Sequence, residues 1–157
     1  MCLFIDTLNH EEQPSRYIPK VATRPLVVWK VLREQNTCSS ARSLNGNRWV
    51  SPIREVPYVF EKLYTSEMVC DGSTVEDGLH ALRAPNQYQA NEIWGLDPIT
   101  FPFKQAFPAL IPVGSEFFVG EDDDVVTNQL IVFRTLDDLM NYCGVTKLAP
   151  PVESSQF

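Results

Sequence analysis

Four prolines, Pro98, Pro102, Pro108 and Pro112, interleave with Phe101, Phe103 and Phe107, and they set the tightest local limit on how this chain can fold. Proline brings no backbone N–H to a sheet ladder, so residues 97–108 are excluded as a central strand along their whole length. Their rings predict instead a loop packed by its own aromatics. On either side the sequence breaks into short β-prone runs. Residues 26–33 combine Val, Leu and Trp with charges only at Lys30 and Arg33, which predicts a largely buried strand. Residues 36–47 are rich in Ser, Asn and Gly, and Asn45-Gly46 predicts a turn between strands, with extended structure resuming over 48–53. Residues 56–64 fit helix or strand equally. Asp71-Gly72 and Asp77-Gly78 are turn signals, the second feeding a short extended segment. Residues 109–113, 116–120 and 125–133 predict three strands in a meander.

Two short helices are expected. One has Pro85 in its first turn, no breaker over 87–94, Gly95 just past its end, and Ala90, Ile93 and Trp94 on its buried face. The other is capped by Thr135 bonding the amide of Asp138, has Asp137 and Asp138 at its positive end, and stops at Gly144. Residues 1–25, punctuated by Pro14, Pro19 and Pro25, predict irregular structure. Six or seven strands and two helices without strand–helix–strand alternation predict an α+β fold: a mainly antiparallel sheet with two short helices and long loops. With 157 residues, 44% of them hydrophobic and 11% aromatic, the chain can bury enough apolar surface to fold without staples. The expectation is a single globular domain over 1–148 and a frayed tail over 149–157, where Pro150-Pro151 and serines accumulate.

The apolar runs fall far short of the roughly 20 residues that a membrane span requires. Met1-Cys2-Leu3-Phe4-Ile5-Asp6 carries no basic leader, which predicts a cytosolic location and no membrane partner. Cysteines at 2, 38, 70 and 143 form no Cys-x-x-Cys pair, and there are two histidines, so no metal site, cofactor or disulfide framework is expected.

Charge is unevenly placed. Residues 1–79 hold ten acids and nine bases, and residues 80–157 hold ten acids and four bases, so the net −7 is −1 followed by −6. An acidic chain repels phosphate backbones, which argues against duplex nucleic acid as a partner. The first half keeps six arginines, and arginine binds a small phosphate by paired hydrogen bonds. Arg48, Trp49, Arg54, Tyr58 and His80 supply the groups that hold a nucleotide: guanidinium for phosphate, ring for base, hydroxyl for ribose. Trp49 and Tyr58 also suit a core, His80 also suits a locally bonded turn histidine, and no glycine-rich phosphate loop accompanies them. Glu121, Asp122, Asp123 and Asp124 read first as a solvated hairpin loop. Their other readings are a cation site, for which calcium-loop spacing is missing, and an acidic surface for a basic partner protein. Cys2 is the one candidate nucleophile, since removal of Met1 would place an α-amine beside its thiol; equally, it fits a small hydrophobe in an opening strand. No Gly-x-Ser-x-Gly, His-Glu-x-x-His or Walker motif is present, so no enzyme is read from motifs.

Met1-Cys2-Leu3-Phe4, Val28-Trp29-Lys30-Val31-Leu32, Ser51-Pro52 with Tyr58, Gly78-Leu79-His80-Ala81, and Ile111-Pro112-Val113-Gly114-Ser115-Glu116-Phe117-Phe118-Val119-Gly120 followed by Asn128 and Leu130-Ile131-Val132 occur in this order. The series, over residues 1–133, resembles a loosely defined, largely uncharacterised group of small proteins from phages and their bacterial hosts. The resemblance implies a phage-type accessory (anti-defence) protein in the host cytoplasm and transfers no catalytic residue. Such a protein acts by binding, either sequestering a nucleotide-derived signalling molecule or blocking a host defence protein. A fainter similarity is to ADP-ribosyltransferase-like folds, whose late strand carries a catalytic Glu; here residues 125–133 offer only Thr127, Asn128 and Gln129 as polar groups. The alternatives are therefore a transferase-like enzyme, an N-terminal Cys2 hydrolase, and a virion structural part, which would form an oligomer.

Overall fold

The β-branched and aromatic run at 26–36 forms the longest strand in the computed structural model, and the rest of the architecture is arranged around it. The structure describes residues 3–13, 16–36, 47–51, 56–93 and 104–144. The Asn45-Gly46 turn, Trp94 and Gly95 at the end of the first helix, and the tail 149–157 lie outside them.

The described strands are β1 (Leu3–Phe4), β2 (Glu12–Gln13), β3 (Arg16–Tyr17), β4 (Lys20–Val21), β5 (Leu26–Asn36), β6 (Asn47–Val50), β7 (Pro57–Tyr58), β8 (Leu63–Thr65), β9 (Cys70–Asp71), β10 (Thr74–Val75), β11 (Leu79–Leu82), β12 (Lys104–Ile111), β13 (Glu116–Val119), β14 (Asp124–Thr127) and β15 (Gln129–Val132). The helices are α1 (Gln87–Ile93) and α2 (Leu136–Cys143). The main sheet is ordered β4-β13-β14-β11-β5-β12-β15-β8, every pairing antiparallel, with β6 on the far end of β5 and β7 on β6. Asn128 alone separates β14 from β15, yet β14 pairs with β11 and β13 while β15 pairs with β12 and β8. Since β11 and β12 both pair with β5, the path β14-β11-β5-β12-β15 returns to its start through one residue. The sheet thereby curls into a small barrel.

Successive side chains on a strand face opposite ways, and here both ways are buried. Leu26, Val28 and Leu32 of β5 point inward with Phe107, Ala109, Ile111, Phe117, Val125, Leu130 and Val132. On the outer face, Trp29 and Val31 lie with Ala90 under α1, and Val27 lies with Leu110, Ile131 and Leu139 under α2. A third cover, the sheet β1-β10-β9, places Leu3, Ile5 and Val75 against Phe118 and Val126.

The loop expected across Pro108 is replaced, from Lys104 onward, by a central strand: β12 lies between β5 and β15. The Pro108 carbonyl accepts the Phe133 amide at 2.8 Å. A strand residue aims its N–H and C=O at the same neighbour, so the missing donor falls at the end of the β15 ladder. The eight-residue register with β5 is left intact. The expected meander is corrected too, because β12 joins β5 and β15 rather than β13. Four short strands form within 3–13 and 16–21 where irregular structure was expected; β2 and β3 pair with each other, while β1 and β4 gain order from distant partners, as in Leu3 opposite Val75 and Lys20 opposite Phe117. Both helices are present, but α1 is capped by Asn86, whose Oδ1 accepts the Gln89 amide at 2.9 Å, so Pro85 precedes the cap. Thr135 caps α2 as expected, and Gly144 ends it at φ 67°. Two short helices add so little that the fold is largely β. No described helix is long and apolar enough to cross a membrane.

Candidate functional site

Where the barrel closes, the apolar run of β14 and β15 is interrupted by three polar residues, and their hydrogen bonds pin the junction. Thr127, fully buried, donates its hydroxyl to the Glu116 carbonyl at 2.8 Å. Asn128 donates its amide to that same carbonyl at 3.1 Å, and its Oδ1 accepts the Glu116 amide at 2.9 Å. Ser66, just after β8, donates its amide to the Asn128 carbonyl at 3.0 Å. A polar seam therefore runs from β13 across the junction to the segment after β8.

A cleft of about 710 Å³ opens on this seam, lined on one side by Arg16, Tyr17 and Pro19 and on the others by Thr65, Ser66, Glu67, Met68, Cys70, Glu116, Phe118, Asn128 and Gln129. That size falls within the range of roughly 300–1,000 Å³ typical of small-molecule sites. Because Asn128 Oδ1 is taken by a backbone amide, and Gln129 Oε1 accepts the Ser115 hydroxyl at 3.0 Å, each side chain keeps its NH₂ as a donor. Among the described lining residues Arg16 is the one cationic side chain, and Glu67 and Glu116 add acceptors. The cleft can thus bind a small anion by donors while accepting hydrogen bonds from another part of the same ligand.

The wall carrying Arg16 and Tyr17 is the β2–β3 hairpin, in which Glu12 opposes Tyr17 and Ile18 donates its amide to the Glu11 carbonyl at 2.8 Å. His10 ties this hairpin to the barrel. Its Nδ1 donates to the Ile18 carbonyl at 3.1 Å, its Nε2 accepts the Val119 amide at 2.9 Å, and its ring lies 5.3 Å from Phe118. Burial pushes the imidazole below its ordinary range.

Of the five residues expected to form a nucleotide pocket, the three whose side chains are described, Trp49, Tyr58 and His80, do not line this cleft. Trp49 and Tyr58 face one another across β6 and β7. Trp49 sets its ring edge-on to Phe107 at 4.7 Å, and the buried Tyr58 lies 4.7 Å from Tyr64, so both pack into the barrel end. His80 sits on β11 between Leu79 and Ala81, which pack with the interior, so its own side chain is on the opposite face. Its carbonyl joins the aromatic group, accepting Lys30 Nζ at 2.7 Å, with that ammonium 5.3 Å from the Tyr58 ring centre. Arg48 lies on β6 opposite Gln35, its side chain outside what is described, as are Arg54 and Cys2.

The acidic run is split by the hairpin between β13 and β14. Glu121, Asp122 and Asp123 are exposed at its tip, as expected of a solvated loop, whereas Asp124 begins β14 half-buried. Burial pushes the Asp124 carboxyl above the usual range. Its Oδ1 presses on Gly120, where any Cβ would overlap it, and both this oxygen and Arg83 Nε are buried without a hydrogen-bond partner. Among the described residues no group of three or more His, Cys, Asp or Glu is placed to hold a metal ion.

The cleft residues carried one legible signal, the interruption of an apolar run by Thr127, Asn128 and Gln129. His10, Tyr17 and Ser66 carried none, since each acquires its role from a partner distant in sequence. Comparison with known protein families, curated proteins and solved structures finds no match for the chain.

Proposed function

We propose that this protein acts by binding, as a phage-type accessory protein that holds a small nucleotide-derived anion in the cleft beside Asn128 and so withdraws a signalling molecule from solution. The observation that carries this reading is that one cleft is lined by Arg16 together with Asn128 and Gln129, whose NH₂ groups make no hydrogen bond among the described residues. Arg16 suits a phosphate, Tyr17 offers a ring face to a base, and Glu67 and Glu116 accept N–H groups of a base edge. With two carboxylates outnumbering one guanidinium among the described lining residues, the cleft favours a ligand of few negative charges over a polyphosphate.

Isothermal titration with NAD, ADP-ribose and cyclic nucleotides tests the reading. One of them is expected to bind stoichiometrically, and Arg16→Ala to weaken it ~10- to 100-fold, the worth of a charged hydrogen bond. Absence of heat with every compound would remove the idea. Blocking of a basic host protein through Glu121, Asp122 and Asp123 is the competing reading, favoured by the exposure of all three. Under it, charge reversal at the loop abolishes partner binding and nucleotide titration gives nothing.

A further inference from the structure

We infer that His10 is a proton-sensitive pin, whose protonation loosens the cleft wall formed by Arg16 and Tyr17 and so couples ligand binding to pH. The inference rests on the reading of that cleft as the binding site.

The hydrogen bonds of His10 permit only one protonation state. Nδ1 faces the Ile18 carbonyl and must carry a hydrogen, while Nε2 faces the Val119 N–H and must be bare. The imidazole is therefore the neutral Nδ1–H tautomer. Its place in the fold is unusual for a side chain. The Val119 carbonyl accepts the Asp6 amide at 2.9 Å, so both polar groups of this residue point toward the N-terminal segment, away from β14. There the ring occupies the position of a strand carbonyl, bridging the end of β13 to the residue that follows β3.

A second proton converts Nε2 into a donor aimed at another donor. The Val119 contact is then lost and the amide has no other acceptor among the described residues. The Ile18 contact survives protonation, so the ring stays with the hairpin, which loses its tie to Val119 and is left held by the packing of Tyr17 beside Phe118, the Arg16–Gly72 bridge and the pairing of β4 with β13. The charged groups facing the ring are Asp6, which favours the cation, and Lys20 on β4, which opposes it. Lys20 is itself held by Asn9 Oδ1 at 2.7 Å. From β13 the ring meets Phe118 and Val119, neither of which titrates. Burial outweighs these charges, which keeps the pin closed near neutrality and opens it in acid.

Two measurements on the full chain decide the matter. Amide exchange by NMR, expressed as protection factors, reads the pin: Val119 protection is expected to fall at least ~tenfold between pH 7.5 and pH 5, a typical coupling size, together with loss of the Nδ1–H ring nitrogen signature. His10→Gln, neutral throughout, is expected to show no such fall. Titration of NAD, ADP-ribose and cyclic nucleotides at the same two pH values reads the coupling, with about tenfold weaker binding in acid expected of whichever compound binds. Unchanged Val119 protection once the ring is protonated overturns the pin, with or without a foldable variant. Equal affinity at both pH values overturns the coupling while the binding reading stands. No heat at either value overturns that reading, and the coupling with it.

Discussion

Lys30 shows at the scale of one residue what burial does to a charge. It lies on β5 between Trp29 and Val31, which face outward under α1, so it points into the barrel, where the His80 carbonyl and the Tyr58 ring are its neighbours. Burial pulls its ammonium from 10.5 to about 8 and pushes the Tyr58 hydroxyl from 10.0 to about 12. Between pH 8 and 10.5 the unfolded chain binds the lysine proton and the folded chain does not, so stability rises with pH there. A difference of 10.5 − 8 = 2.5 units amounts to about 3 kcal/mol over that window. Above pH 10 the unfolded tyrosine ionises first and the sign reverses. Denaturant midpoints measured from pH 6 to 11 are thus expected to climb to a maximum near pH 10, well above the isoelectric point of about 4.8, and Lys30→Met to abolish the climb. A flat profile in the unsubstituted protein would sink this account. The sequence marked Lys30 as a charge in a buried strand but could not tell which face it took, because both faces of β5 are apolar.

The elements divide according to where their determinants lie. Helix α2 is set by residues within four positions of one another: Thr135 Oγ1 accepts the Asp138 amide at 3.1 Å and Gly144 takes the left-handed conformation. Thr135→Ala is expected to cost about 1 kcal/mol, read as a lower urea midpoint at unchanged slope. An unchanged midpoint would mean that packing of Leu139 alone holds the helix. The Asp71-Gly72 turn is equally local, with Gly72 at φ 58°. Strand β12 is the opposite case. Pro108 locally argues against a strand, yet its missing N–H costs one bond at a ladder end, while Phe107, Ala109, Leu110 and Ile111 are all buried through that strand. Similarly, β1 and β4 have two residues each and exist because β10 and β13, distant in sequence, are there to receive them.

For the whole molecule, closure through Asn128 leaves β5 and β12 well shielded, flanked by strands and covered on the outside by α1 and α2. Hydrogen exchange measured by mass spectrometry is expected to show peptides of β5 and β12 opening only on global unfolding, with β2 and β3 exchanging earliest among the described strands. Early exchange across β12 would contradict the barrel. By itself the sequence determined the antiparallel, strand-rich character, the ends of α2 and the turn before β10. These depend on steric and hydrogen-bonding effects within a few residues, and a linear chain displays them. Only the tertiary structure decided which strands pair, that the sheet closes on itself, and that Arg16, Ser66 and Asn128 border one cleft pinned by His10. Burial on both faces of the strands erases the alternation that would reveal their orientation, and the choice among distant partners is made by the surface that each buries on the others.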